Sequence, residues 1–237
     1  MPYDYAYGRP VAARAETTDR VAFIRRTYAH LGGAILAFMA LEAVLLSVVP
    51  HNEVLRLLAV SPFSWLFVLG GFMVAGWVAQ MWARSETSVA LQYTGLAVYV
   101  VAQAVIMLPL LMLAADFSGP SVIPTAGILT LAVFAGLTAS VFISGKDFSF
   151  LRPILFVGSL LALGLIVASI LFSFNLGGVF FAFAMVALMS GYILYYTSNV
   201  MLYYRTDQHV AAALALFAAV ATLFWYILQI VMRFNRR

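Results

Sequence analysis

Charged residues divide this chain into stretches that contain almost none. Between Arg56 and Arg84 lie 27 residues without Asp, Glu, Lys or Arg. Between Glu86 and Asp116 lie 29, and between Asp116 and Lys146 another 29. The interval from Arg152 to Arg205 holds 52, too long for one membrane crossing and right for two. A crossing helix needs about 20 mainly apolar residues to traverse a hydrocarbon layer about 30 Å thick. Composition points the same way. The 237 residues are 65% hydrophobic and 9% charged, with mean hydropathy +1.02. A soluble domain is about 45–50% apolar and about 25% charged, and a fold of this size could not hide so much apolar surface. The natural solvent is lipid.

Within the 52-residue interval the break falls at Ser173-Phe174-Asn175-Leu176-Gly177-Gly178, where Asn and Gly are turn formers. After His209 the apolar run continues to Met232, and residues 28–49 form one more span, interrupted only by Glu42. The sequence therefore predicts an all-α integral membrane protein of seven transmembrane helices, at about 28–49, 63–83, 88–114, 121–143, 153–173, 179–203 and 210–232. A β-barrel would show short alternating segments instead. Residues 1–22 read as a polar cytoplasmic tail and 23–237 as the transmembrane domain. The tail is not a secretory signal, because its charges come first and the apolar run begins only near Leu31.

With the N-terminus in the cytoplasm, inside segments hold Arg9, Arg14, Arg20, Arg25, Arg26, Arg84, Lys146, Arg152 and Arg205, and outside loops hold only Arg56. That is a strong positive-inside bias. The C-terminal Arg233, Arg236 and Arg237 run against it. Either they are tolerated outside, or the last segment re-enters without crossing. The net charge of +4 is thus an orientation signal, and nucleic acid is not an expected partner. Trp82, Tyr203 and Tyr204 fall near interfaces, as aromatic belts do. Small residues recur every fourth position at Ala132, Gly136 and Ser140, at Gly164 and Ala168, and at Ala211, Ala215 and Ala219. Such stripes let helices approach closely.

Several chemistries have no residues to carry them. The only lysine, Lys146, is in a loop, so no retinal Schiff base forms in a late helix. There is no cysteine, and His30, His51 and His209 sit at span ends or loops, so no shared metal is expected. No intramembrane Ser–His pair and no nucleotide-binding glycine motif is present. The expectation is a non-enzyme without cofactor. One ionisable residue does stand inside a span. Glu42 lies eight residues before Pro50, about 12 Å below the end of its helix. A carboxylate there is costly and suggests a function by default, here a proton or cation site. The plainer reading is a protonated acid hydrogen-bonded to a neighbouring helix.

Phe23-Ile24-Arg25-Arg26-Thr27-Tyr28-Ala29-His30-Leu31 resembles the phrase that opens the first helix of the Bax inhibitor-1 (TMBIM, YccA-like) family. Residues Thr130–Thr138 are similar to that family's fourth helix, and Lys146–Leu151 to the loop after it. Gly191–Thr197 resembles its sixth helix, and Leu214–Phe217, Leu223-Phe224 and Ile227-Leu228 its seventh. The matches run in order across residues 23–232. The resemblance implies a central seventh helix wrapped by the other six. It also implies a pH-sensitive calcium leak, gated by two aspartates in the sixth and seventh helices that share a proton and pair with a basic residue near the second. Some bacterial members bind a membrane-bound quality-control protease. At the positions matching the aspartates this chain has Tyr196 and Ala219, neither of which titrates near pH 7. Arg84 is the candidate basic partner.

Two functions follow as expectations. One is a calcium or proton leak with an altered or absent pH sensor, in which Glu42 supplies the lost acidity. The other is a non-transporting scaffold or regulator of a membrane protease, with the polar tail as its handle. The lipid bilayer is the one partner both require, and a bacterial inner membrane is the expected location.

Overall fold

The computed structural model describes residues 10–50, 54, 56, 62–85, 88–172, 174 and 178–235. Seven long helices hold nearly all of them: α1 Thr17–Val48, α2 Pro62–Ala83, α3 Val89–Phe117, α4 Val122–Ser144, α5 Leu151–Leu171, α6 Val179–Leu202 and α7 His209–Asn235. Each is long and apolar enough to cross a membrane, as the charge-free runs require. A helix satisfies its own backbone hydrogen bonds, the condition lipid imposes.

The largest departure from the sequence reading is at the start. The first helix begins at Thr17, not near residue 28, and Asp19 occupies its first turn, where the helix dipole favours an acid. The polar segment from Thr17 is thus a helical extension of the first span. Ahead of it, the Ala12 N–H donates to the Tyr204 carbonyl at 2.8 Å and the Thr206 N–H to the Pro10 carbonyl at 3.3 Å. Ala12 is completely buried. The stretch from Pro10 is therefore packed onto the turn between α6 and α7. Residues 1–9, the rest of the expected handle, lie outside the described residues.

Helix α7 is buried along most of its length and packs against α1, α2, α3, α4 and α6. Seven alanines between Ala211 and Ala221 give it small side chains on every face, so several neighbours approach at once. Helix α5 packs mainly on α6 and α2, outside that ring. The tightest approach joins α2 and α3. A side chain at Gly95 would begin 2.5 Å from the Ala79 carbonyl oxygen and 2.7 Å from the Ala83 nitrogen. Only glycine fits there.

Of the small-residue stripes, only that of α7 is in the interior. Ala132, Gly136 and Ser140 on α4 are exposed, as is Gly164 on α5. A Cβ added at Gly136 or Gly164 meets nothing within 4 Å. Small spacing does not tell which face a helix turns inward when lipid is as apolar as the core. The last segment is long enough to cross fully: α7 has 27 residues, about 40 Å. The Asn235 amide at its far end donates to the Ser118 carbonyl at the end of α3.

Candidate functional site

Helix α1 turns one face inward, carrying Phe23, Thr27, Leu31, Ala34, Phe38 and Glu42 at steps of three and four. Those steps keep side chains on one stripe of a helix. Glu42 is 4% exposed, and neither carboxylate oxygen has a hydrogen-bond partner among the described residues. No described residue supplies the bond to a neighbouring helix that the plainer reading requires. Glu42 lies on the face of α1 that meets α3 and α7.

One turn further in, Phe38 meets Phe217 of α7 edge-on at 5.9 Å. Phe217 meets Tyr99 of α3 at 6.1 Å, and Tyr99 meets Phe72 of α2 at 5.9 Å. This row of rings closes the middle of the bundle. Polar groups stand on either side of it. A cavity of about 420 Å³ is lined by Gln103, Thr222 and Gln229 with Trp65, Trp225 and Tyr226. Gln103 is 3% exposed and its Oε1 has no partner among the described residues. On the other side, the Tyr28 hydroxyl lies beside those of Thr138 and Thr197. None of the three makes a hydrogen bond among the described residues.

The end of the bundle where α1 begins is basic and polar. Arg84, just past α2, lines a cavity of about 410 Å³ with Arg152, Tyr195, Asn199, Tyr204 and Gln208. Burial pushes the Tyr204 hydroxyl above its ordinary value of 10.0, against the pull of Arg84. In the adjoining loop, Asp147 accepts the Ser149 N–H at 2.8 Å and the Tyr203 hydroxyl. Ser198 on α6 receives the Phe148 N–H at 3.0 Å. The Tyr203 bond holds the Asp147 carboxyl below the usual carboxylate range. His30 and His209 also meet here, with ring centroids 4.9 Å apart, and the His30 Nε2 lies 2.9 Å from the Tyr93 hydroxyl. Among the described residues no three of His, Asp and Glu converge. His51 lies outside them.

The residues singled out from sequence fall in three places. Glu42 is buried in the interface between α1 and its neighbours. Tyr196 is half-buried and stacks on Tyr192 at 5.5 Å, and Ala219 is buried in α7. Arg84 is exposed at the basic end, away from Glu42. Sequence reading did not find Gln103, the Tyr28–Thr138–Thr197 group, or the meeting of Arg84 with Arg152. A glutamine or threonine in an apolar run is too common to signal a site, and the two arginines are far apart in the chain.

Seven helices long enough to span, one of them alanine-rich and buried among its neighbours, with an acid and polar cavities inside, define an integral membrane protein of the multi-pass α-helical class. The chain belongs to the Bax inhibitor-1 family: residues 20–236 match the family described as "Inhibitor of apoptosis-promoting Bax1". It is 30% identical to the BI1-like protein of Arabidopsis thaliana over 237 residues, covering 93% of this chain and 84% of the relative. It is 27% identical to Protein LIFEGUARD 4 of the same plant over 217 residues, 89% of this chain and 84% of the relative. An uncharacterized membrane protein of Vibrio cholerae is 31% identical over 113 residues, 48% of this chain and 50% of that protein.

Proposed function

We propose that the chain is a leak protein of the Bax inhibitor-1 family, carrying protons rather than calcium, with Glu42 as its intramembrane acid. The observation that carries this reading is the Glu42 carboxylate itself, 4% exposed and without a hydrogen-bond partner among the described residues. An acid in that position is costly and marks an ion or proton pathway. One carboxylate suits a proton. Calcium takes six to eight oxygen ligands, and no group of three His, Asp or Glu converges among the described residues. Tyr196 and Ala219 stand where the family's gating aspartates are expected, so the usual carboxylate-pair sensor is absent from this reading. The ring row of Phe38, Phe217, Tyr99 and Phe72 is then the closed gate. The positive-inside count supports an N-terminus on the cytoplasmic side, and the location that goes with this proposal is a bacterial inner membrane.

The test is proton and calcium flux into liposomes holding the purified chain, from about pH 6 to 8, beside Glu42→Gln. A protein-dependent proton flux that returns to the protein-free background in Glu42→Gln supports the reading. Flux unchanged in that variant removes Glu42 from the pathway. A silent bilayer with folded protein removes the leak itself and leaves the non-transporting scaffold for a membrane protease as the working alternative.

A further inference from the structure

We propose that the cavity at the basic end is a binding site for a phosphate-bearing anion, gripped by Arg84 and Arg152. Arg84 and Arg152 line one cavity of about 410 Å³ from separate parts of the chain, Arg84 just past the end of α2 and Arg152 in the first turn of α5. No carboxylate is among its lining residues within the described part of the chain. Two acids of the neighbouring loops are engaged elsewhere. Asp147 holds the Ser149 N–H and the Tyr203 hydroxyl, and Asp207 pairs with Arg205 at 3.0 Å. Neither Arg84 nor Arg152 makes an ion pair among the described residues. Two like charges facing one cavity repel, and an anion between them removes that repulsion.

The donors suit a phosphate. Guanidinium presents a planar fork that matches two phosphate oxygens at once. Asn199 adds amide hydrogens from the last turns of α6. Gln208 accepts the Arg205 N–H through its Oε1 at 3.2 Å, which leaves its amide hydrogens free to donate. Tyr203 and Tyr204 remain neutral hydroxyls. The Tyr203 hydroxyl is raised above its ordinary value by its bond to Asp147, and that of Tyr204 by burial. Neither adds a negative charge to repel the ligand.

Phosphate reaches such a site as a free ion or as the headgroup of an anionic phospholipid, and basic pockets between helices at a membrane surface take headgroups. The inference is independent of the leak reading, because Glu42 lies toward the other end of α1.

Thermal unfolding of the delipidated full chain in neutral detergent tests it. One arm titrates inorganic phosphate at constant ionic strength against chloride. The other titrates short-chain phosphatidylglycerol against phosphatidylcholine. A saturable rise in Tm is expected in at least one arm. Its half-point should weaken about tenfold or more in Arg84→Gln and in Arg152→Gln. Arg233→Gln, at the opposite end, keeps the wild-type response. A rise with inorganic phosphate identifies the free ion, and a rise with phosphatidylglycerol alone identifies the headgroup. No saturable rise in either arm overturns the site, and that result needs only the wild-type chain. An undiminished response in both arginine variants overturns it too.

Discussion

Near the end of α1, Glu42 is buried with neither oxygen hydrogen-bonded among the described residues. At the end where α1 begins, the exposed Asp147 accepts a backbone N–H and a tyrosine hydroxyl, and Asp207 is paired with Arg205. The two ends place charge where it is least and most affordable. In that buried interface a lone acid is expensive, and no described residue compensates it by a hydrogen bond. At the wet end Asp147 and Asp207 are tied into loops, and two arginines line a cavity without an ion pair among the described residues. The difference separates two kinds of unfinished site. One is an acid that lacks partners inside the protein. The other is a pair of cations that lacks an anion from outside it.

The strongest way to break this contrast is to disturb the geometry of the basic end. Gly95 lets α3 lie against Ala79 and Ala83, immediately before Arg84. Gly95→Val puts carbon into the α2 backbone, which cannot yield as a flexible side chain would. A loss of about 3 kcal/mol or more is expected, read as a large fall in Tm in detergent together with loss of the phosphate response. A Gly95→Val protein with wild-type Tm means that α2 and α3 separate without penalty, and that their contact does not position Arg84.

The next effect has the opposite sign. Glu42→Met replaces an unpartnered buried acid by an apolar side chain of similar length. Removing an unsatisfied buried polar group should stabilise the chain by about 1–3 kcal/mol, seen as a higher Tm. The same variant should be silent in the liposome assay, the stability-for-activity exchange expected at a functional group. A lower Tm in Glu42→Met would show that the carboxyl is satisfied by water or lipid, and would erase the contrast between the ends.

The two regions were not equally legible in the sequence. Spans could be counted because lipid excludes charge, so the charge-free runs delimit α2 to α7 within a few residues. The start of α1 was not visible, since a helix that emerges into water carries charges as a loop does. The docking of Pro10 and Ala12 onto Tyr204 and Thr206 uses backbone groups, which leave no mark in residue types. Glu42 was legible as the lone acid of a span, because its cost follows from chemistry alone. Its lack of a bonded partner was not, because that depends on how neighbouring helices are rotated. The same rotation hid the outward facing of Ala132, Gly136 and Ser140. Arg84 was visible singly, and its convergence with Arg152 required the fold.

The smallest effect lies in the loop beside the cavity. Bonded first to the Tyr203 hydroxyl and then to the Ser149 N–H, Asp147 has a carboxyl held below its ordinary value of 3.8. A group depressed in the native state adds stability that is complete above its ordinary value and is lost as pH falls through the depressed one. Tyr203→Phe removes the first cause, so Asp147 should titrate closer to its ordinary value. Between about pH 6 and 8, where the carboxylate is ionised in either protein, Tm should then fall slightly in the variant, and the two profiles should converge as pH falls and Asp147 is protonated in both. Asp147 is exposed, so solvent screening keeps the change small. A variant profile that coincides with the wild type at every pH means that the Tyr203 bond exchanges freely with water. The loop would then be held by the Phe148 N–H to Ser198 bond, and the wet end would owe its order to α6 rather than to its acid.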